Sequence, residues 1–305
     1  MIRVAIFGAE TPLSGELIRI LAMHPDVEIT GAQATGLEGI ALSDIHHGLI
    51  GETSLQFSAH INPCDAHMIF ADATVVNVHP LIQTAIAGTG PKVVVYGASS
   101  ATLPNDACVY GLPEMNRKPL VRGAMAAVVP MPFASMALVA LYPFASHLLL
   151  NGTIDIEVYA PESLIKETEL PKAEKEIKQY LENTQRSFKG NIRISANASD
   201  ARRSSLMRIK FRCPLIEEQA IQLYDCYDDH HFAFVTTRQI GVSEVAGTNK
   251  CVISVDKEDN ETLTLTAAAD CRMRGGAGEA VHIMNLMFGL HEKTGLYLKA
   301  IDFDK

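Results

Sequence analysis

Residues 2–21 read IRVAIFGAETPLSGELIRIL, and this stretch decides the fold. Its first six residues are strand-like, Gly8 supplies a turn, and Leu13, Leu17, Ile18 and Leu21 recur at helical spacing. Strand, turn and helix in that order open a βαβ unit. Outward from it the alternation continues, with strands predicted over 28–34, 66–71 and 92–96 and a helix over 80–87. Such alternation builds a parallel sheet. From residue 153 the regime changes. Strands over 153–160, 192–196, 206–212, 233–237, 250–255 and 262–268, with helices over 172–182 and near 216–227, predict a largely antiparallel sheet of α+β type. A glycine-opened helix at 275–290 follows, placed to return to the first domain.

The turn after the first strand sits where a dinucleotide loop would. Glycines there let a pyrophosphate approach the free amides of the following helix. Gly8 is kept, but Thr11 and Ser14 stand at the next two positions of that spacing, and Pro12 lies in the turn. The two hydroxyls are expected to reach a phosphate, while their side chains narrow its approach. On these residues alone, a working nucleotide loop and a structural relic of one both stay open.

A chain of 305 residues suits two joined domains, and 48% apolar with 20% charged residues is a globular composition. Apolar stretches break before membrane-spanning length, and the N-terminus runs into a strand without the features of a secretory signal, so a cytoplasmic protein without membrane spans is expected. The six cysteines are scattered, with no CxxC pair and no histidine at ligand spacing, which argues against a disulfide framework or a metal site. A net charge of −9 opposes nonspecific attraction to nucleic acid or anionic membrane. The one basic cluster, Arg202, Arg203, Arg208, Lys210 and Arg212, reads as a solvated sheet face.

VYGLPEMNR at 109–117 and GGAGEAVHIMNLMFGLHEKTGL at 275–296 resemble closely two motifs of the N-acetyl-γ-glutamyl-phosphate reductases. GAETPLSGELIRIL at 8–21, LSDIHHGLIG at 42–51 and GTNKC at 247–251 match further family stretches in the same order. The resemblance implies an α/β fold: a Rossmann-type NAD(P)-binding domain from residues 1–130 plus the C-terminal helix within 275–305, and an α+β substrate and dimerisation domain from 131–274. It also implies a homo-oligomer, a small-molecule ligand and a nicotinamide cofactor, NADP or NAD. By position, Gly8, Thr11, Ser14, Thr35 and Gly278 fall at the cofactor, and Arg203 and Arg274 on the substrate side.

The family's chemistry does not carry over. Its nucleophile lies in V-A-N-P-G-C-Y-P-T-A-A-L, and the aligned AVVPMPFASMAL at 127–138 puts Pro132 at the cysteine and Met131 at the glycine before it. The family reaction forms a thioester from an acyl phosphate and reduces it with NADPH, and without sulfur there is no thioester. The family's acid/base histidine is missing too, because no histidine occurs between His147 and His230 and the charged helix at 172–182 takes that stretch. Thr35 and Ile40 stand where cations would meet the 2′-phosphate of NADP, so cofactor binding is expected to be weak or absent. Cys108, just before the YGLPE motif, is the remaining thiol candidate, set against a packed small hydrophobe. Three readings follow: a silent or altered reductase homologue that binds a ligand, an active NAD(P)-dependent oxidoreductase working through other residues or on another substrate, and a structural oligomer.

Overall fold

The computed structural model describes residues 1–100, 108–259 and 261–301. The chain divides into two units, Met1–Pro130 with Gly276–Tyr297, and Met131–Gly275 joined by residues 298–301. Ile301 is tied to the second by its amide, which donates to the Ala246 carbonyl at 3.1 Å.

In the first unit the strands are β1 (Ile2–Phe7), β2 (Val27–Gln33), β3 (Phe57–Ser58), β4 (Met68–Asp72), β5 (Lys92–Tyr96), β6 (Val109–Tyr110) and β7 (Ala126–Val128). All pair in parallel, in the order β3-β2-β1-β4-β5-β7-β6. Val4, Ala5 and Ile6 of β1, Ile69 and Phe70 of β4, and Val93 to Val95 of β5 are wholly buried, as strands covered on both faces must be. The helices are α1 (Pro12–Leu21), α2 (Leu42–Ile45), α3 (His79–Ile86), α4 (Pro113–Val121) and, from the far end of the chain, α9 (Ala277–Met287), which packs on α1, α4 and β5. Strand order reverses between β1 and β4. Ligands of open α/β sheets bind at such a crevice.

The second unit begins with α5 (Pro132–Ser146), then β8 (Thr153–Ala160), α6 (Glu162–Glu167), α7 (Leu170–Thr184), β9 (Asn191–Ala198), β10 (Ser204–Arg212), α8 (Glu217–Gln222), β11 (Ala233–Thr236), β12 (Cys251–Lys257) and β13 (Thr262–Asp270). Its sheet runs β11-β12-β13-β10-β8-β9. It is mixed rather than largely antiparallel: the central pairs are antiparallel, but β8/β9 and β11/β12 at the two edges are parallel. The physical reason is connection length. α6 and α7 fill the β8-to-β9 link, and a helical crossover of that size returns a strand in the same direction.

Helix α5 is apolar all round, and Phe133, Met136, Leu138, Leu141 and Phe144 are wholly buried, which is why no amphipathic period marks it in the sequence. Pro143 inside it has no N–H for the carbonyl of Val139. The Tyr227 hydroxyl donates to that carbonyl at 2.9 Å, and Tyr224 donates to Ala140 O at 2.7 Å. Of the basic cluster, Arg202, Arg208, Lys210 and Arg212 are exposed, Lys210 pairing with Glu258 at 3.0 Å and Arg212 with Glu261 at 2.5 Å, while Arg203 turns to buried Asp270. Among the described residues, no helix is long and apolar enough to cross a membrane.

Candidate functional site

The turn after β1 is built by helix capping. Thr11 is the N-cap of α1, its Oγ1 accepting the Ser14 amide at 3.2 Å, and Pro12 takes the first helical position, where a missing N–H is harmless. So Pro12 opens the helix rather than lying in the turn. Ser14 is wholly buried, and its hydroxyl bonds Gly8 O at 2.6 Å and the Tyr96 hydroxyl at 2.7 Å. Thr11 Oγ1 also donates to Asp72 Oδ2 at 2.7 Å. Both hydroxyls expected to meet a phosphate are therefore spent inside the protein, because a buried turn must satisfy its own polar groups first. Gly8 adopts φ +77°, and a Cβ there would come 2.6 Å from Val75 Cγ2, so the turn needs glycine.

A pocket of about 380 Å³ opens at the β1/β4 crevice, lined by Gly8, Glu10, Gln33, Thr35, His60 and Asn77 among others. Glu10 decides its electrostatics. It is half-buried, and its Oε2 is enclosed without a hydrogen bond from any described residue. Beneath the turn lies Asp72, only 2% exposed, which accepts Thr11 Oγ1, the Thr74 amide at 2.9 Å and the Thr74 hydroxyl at 2.6 Å. Burial, and then the charge of Asp72, push the Tyr96 hydroxyl above its ordinary range. After β2, where cations would serve a 2′-phosphate, Thr35 is exposed, and the Glu38 carboxyl is held below its ordinary value by the Gly36 N–H. No Lys or Arg of the described residues lines the pocket. A dinucleotide phosphate does not fit this donor set: the hydroxyls face away, and the wall carries a carboxylate. Gly278 lies in the buried first turn of α9 and does not line the pocket.

The segment expected from the sequence to align with the family nucleophile lies in the second unit. Pro132 is the first residue of α5, with Met131 as N-cap at φ −60° and ψ 146°. The Met131 amide donates to Glu176 Oε1 of α7 at 3.1 Å, and Glu176 is wholly buried. A carboxylate thus caps the start of α5 from within, where the helix dipole favours an anion. Arg274 is wholly buried as well, its Nε donating to Ser135 Oγ at 3.0 Å. Gly275, at φ +66°, lies against Pro132 so closely that a Cβ would stand 2.4 Å from the Pro132 Cα. Arg203 forms an ion pair with buried Asp270, whose second oxygen accepts the Arg272 amide at 3.0 Å. The structure thus places both substrate-side arginines inside intramolecular polar networks.

The candidate thiol is no better placed for nucleophilic work. Burial pushes Cys108 up to about 11 and Cys271 to about 12, far from a reactive thiolate. His46 bonds the Ala9 carbonyl through Nε2 at 2.7 Å and so fixes the loop after β1. His282 pairs with Glu292 at 2.7 Å in the buried part of the first unit. Among the described residues no cluster of three or more His, Cys, Asp or Glu side chains could hold a metal ion.

Two residues escaped the sequence reading, Glu10 and Glu176. Glu10 stands where the family motif has Thr. Glu176 had a usable signal, since Ala173, Ile177, Tyr180 and Leu181 trace a helical stripe that a lone carboxylate interrupts.

Residues 3–122 match the semialdehyde dehydrogenase NAD binding domain. The chain is 32% identical to the N-acetyl-γ-glutamyl-phosphate reductase of Flavobacterium johnsoniae, covering 99% of this chain and 100% of that one. The Christiangramia forsetii enzyme of the same name is 31% identical, with 98% and 99% covered. Among solved structures, aspartate semialdehyde dehydrogenase II from Vibrio cholerae shares the fold at a TM-score of 0.73 and 15% identity, covering 95% of this chain and 98% of that one. Aspartate semialdehyde dehydrogenase from Candida albicans does so at 0.70 and 12%, covering 94% and 98%. Ordered motifs, full-length identity and shared fold agree: the chain belongs to the N-acetyl-γ-glutamyl-phosphate reductase family.

Proposed function

We propose that this chain is a family member in which the covalent reductase chemistry is lost and ligand binding is kept. One observation carries the reading: the first residue of α5 is Pro132, and the amide beside it is held by the buried carboxylate of Glu176. Thioester chemistry needs a thiolate where Pro132 stands. It also needs a proton-handling group, and α7 occupies the stretch in which the family keeps its histidine. Cys108 does not substitute, because burial keeps its thiol protonated. The retained fold and the pocket at the strand-order reversal support a binding role, such as sensing a small molecule, and a homo-oligomer remains part of the proposal.

The test is turnover. Purified protein given N-acetyl-γ-glutamyl phosphate and NADPH, or the semialdehyde with NADP and phosphate, is expected to leave the nicotinamide absorbance unchanged. Turnover abolished by thiol alkylation would restore the reductase reading with a substitute cysteine. Turnover that survives alkylation would favour an oxidoreductase of different mechanism.

A further inference from the structure

The pocket at the β1/β4 crevice lies where a nucleotide is held in this fold, yet its wall has the wrong sign for phosphate. We infer that it binds a phosphate-free, nucleoside-sized ligand whose hydroxyl or amino donors meet Glu10, and that it discriminates against the phosphorylated forms. This deepens the proposed binding role and rests on it.

The argument begins with Glu10. Its Oε2 is enclosed and accepts nothing from the described residues, so the carboxylate has lost water without gaining a partner. Glu10 also lines the open pocket, so a ligand donor meets the carboxylate there rather than at the enclosed oxygen, and a carboxylate accepts a vicinal diol or an amino group readily. A phosphate does the opposite. It brings negative charge toward Glu10 with Asp72 behind it, and no described Lys or Arg lines the pocket to offset the repulsion. The hydroxyls of the turn are committed away from a phosphate, Ser14 to Gly8 O and the Tyr96 hydroxyl, and Thr11 to Asp72. The remaining walls suit an uncharged ring: Phe7, Ile61, Val75, Pro80 and Leu81 are apolar, and Gln33 and Asn77 offer amides at the edge. A volume of about 380 Å³ takes a nucleoside.

The experiment is a calorimetric series on the full chain with adenosine, AMP, ADP and NADP as probes. Adenosine is expected to bind, and each added phosphate to weaken binding by about threefold or more, the loss shrinking at high salt as repulsion is screened. Glu10→Thr, which installs the family residue, should strengthen ADP and NADP by on the order of tenfold and weaken adenosine. Glu10→Gln keeps the shape and should flatten the series. ADP binding as tightly as adenosine, a series unchanged in Glu10→Thr, or no binding by any of the four overturns the inference. Those failures without turnover leave the proposed loss of chemistry standing, whereas reductase turnover sinks the functional reading itself.

Discussion

Pro132 and Glu176 together define what the start of α5 can do. A thiol at the first position of a helix is normally acidified by the free amides and the dipole, which is how many catalytic cysteines are activated. Here the Met131 amide donates to Glu176 Oε1, and a carboxylate beside a thiol acts in the opposite direction. Pro132→Cys should therefore give a sluggish thiol and no reductase. Pro132→Cys with Glu176→Gln should alkylate faster near neutral pH by on the order of tenfold, about one pKa unit, and on the proposed reading still without turnover, since that reading leaves no acid/base histidine. Equal alkylation rates across the pH profile would remove Glu176 from the account. Cys108 supplies the internal reference: with its thiol near 11, it should react on the order of a hundredfold more slowly than an ordinary exposed thiol, as mass spectrometry of timed alkylation would read. Pro132 was legible in the sequence because Pro130, Ala137 and Leu138 keep the family register around it. The inward turn of Ser14 was not, since its partner Tyr96 lies 82 residues away and only tertiary packing brings the two hydroxyls together.

At the scale of elements, what could be read was what local chemistry dictates. The strands at 92–96 and 153–160 coincide with β5 and β8 because runs of Val, Ile and Tyr bounded by turn residues have few other uses. Helix α5 and the parallel edges of the second sheet were not legible. A helix buried on every side has no polar face to set its period, and strand direction depends on crossovers. Helix α9 shows a motif residue working structurally. Asn285, the asparagine of the MNLMFGL stretch, donates to Glu292 O at 3.1 Å and Thr294 O at 2.9 Å, and its Oδ1 meets His24 Nε2 at 3.1 Å. His24 Nδ1 accepts the Asp26 amide at 3.2 Å, so the ring is neutral with its proton on Nε2. Burial accordingly lowers its pKa from the ordinary 6.5. A histidine depressed by folding contributes stability above its unfolded value, and that stability is lost as pH falls below 6.5 toward the folded value. The melting temperature should drop as pH falls below 6.5, and His24→Gln should flatten that part of the profile. An identical acid limb in the variant would assign the loss to other groups.

For the whole molecule, the contrast is between a fold kept across its full length and the proposed loss of chemistry at a few single positions. Sheet order, helix capping and buried strands persist because they rest on apolar patterning, which tolerates substitution, whereas one proline or one glutamate suffices to change a site. This yields a prediction that needs no knowledge of the true ligand. A working cofactor site saturated a hundredfold over its dissociation constant stabilises the native state by about 2.7 kcal/mol, a shift of several degrees for a protein of this size. NADP at millimolar concentration should give no such shift here, because Thr11 and Ser14 are turned inward, Glu10 lines the pocket and Thr35 brings no positive charge to it. Glu10→Thr should recover part of the shift by removing the carboxylate, but not all of it, since the missing cation and the inward hydroxyls remain. A full shift in the unaltered protein would mean that the loop rearranges to accept phosphate. The inward hydrogen bonds of Ser14 and Thr11 would then describe a closed state that the dinucleotide opens, and the case for lost chemistry would rest on Pro132 and the absent histidine alone.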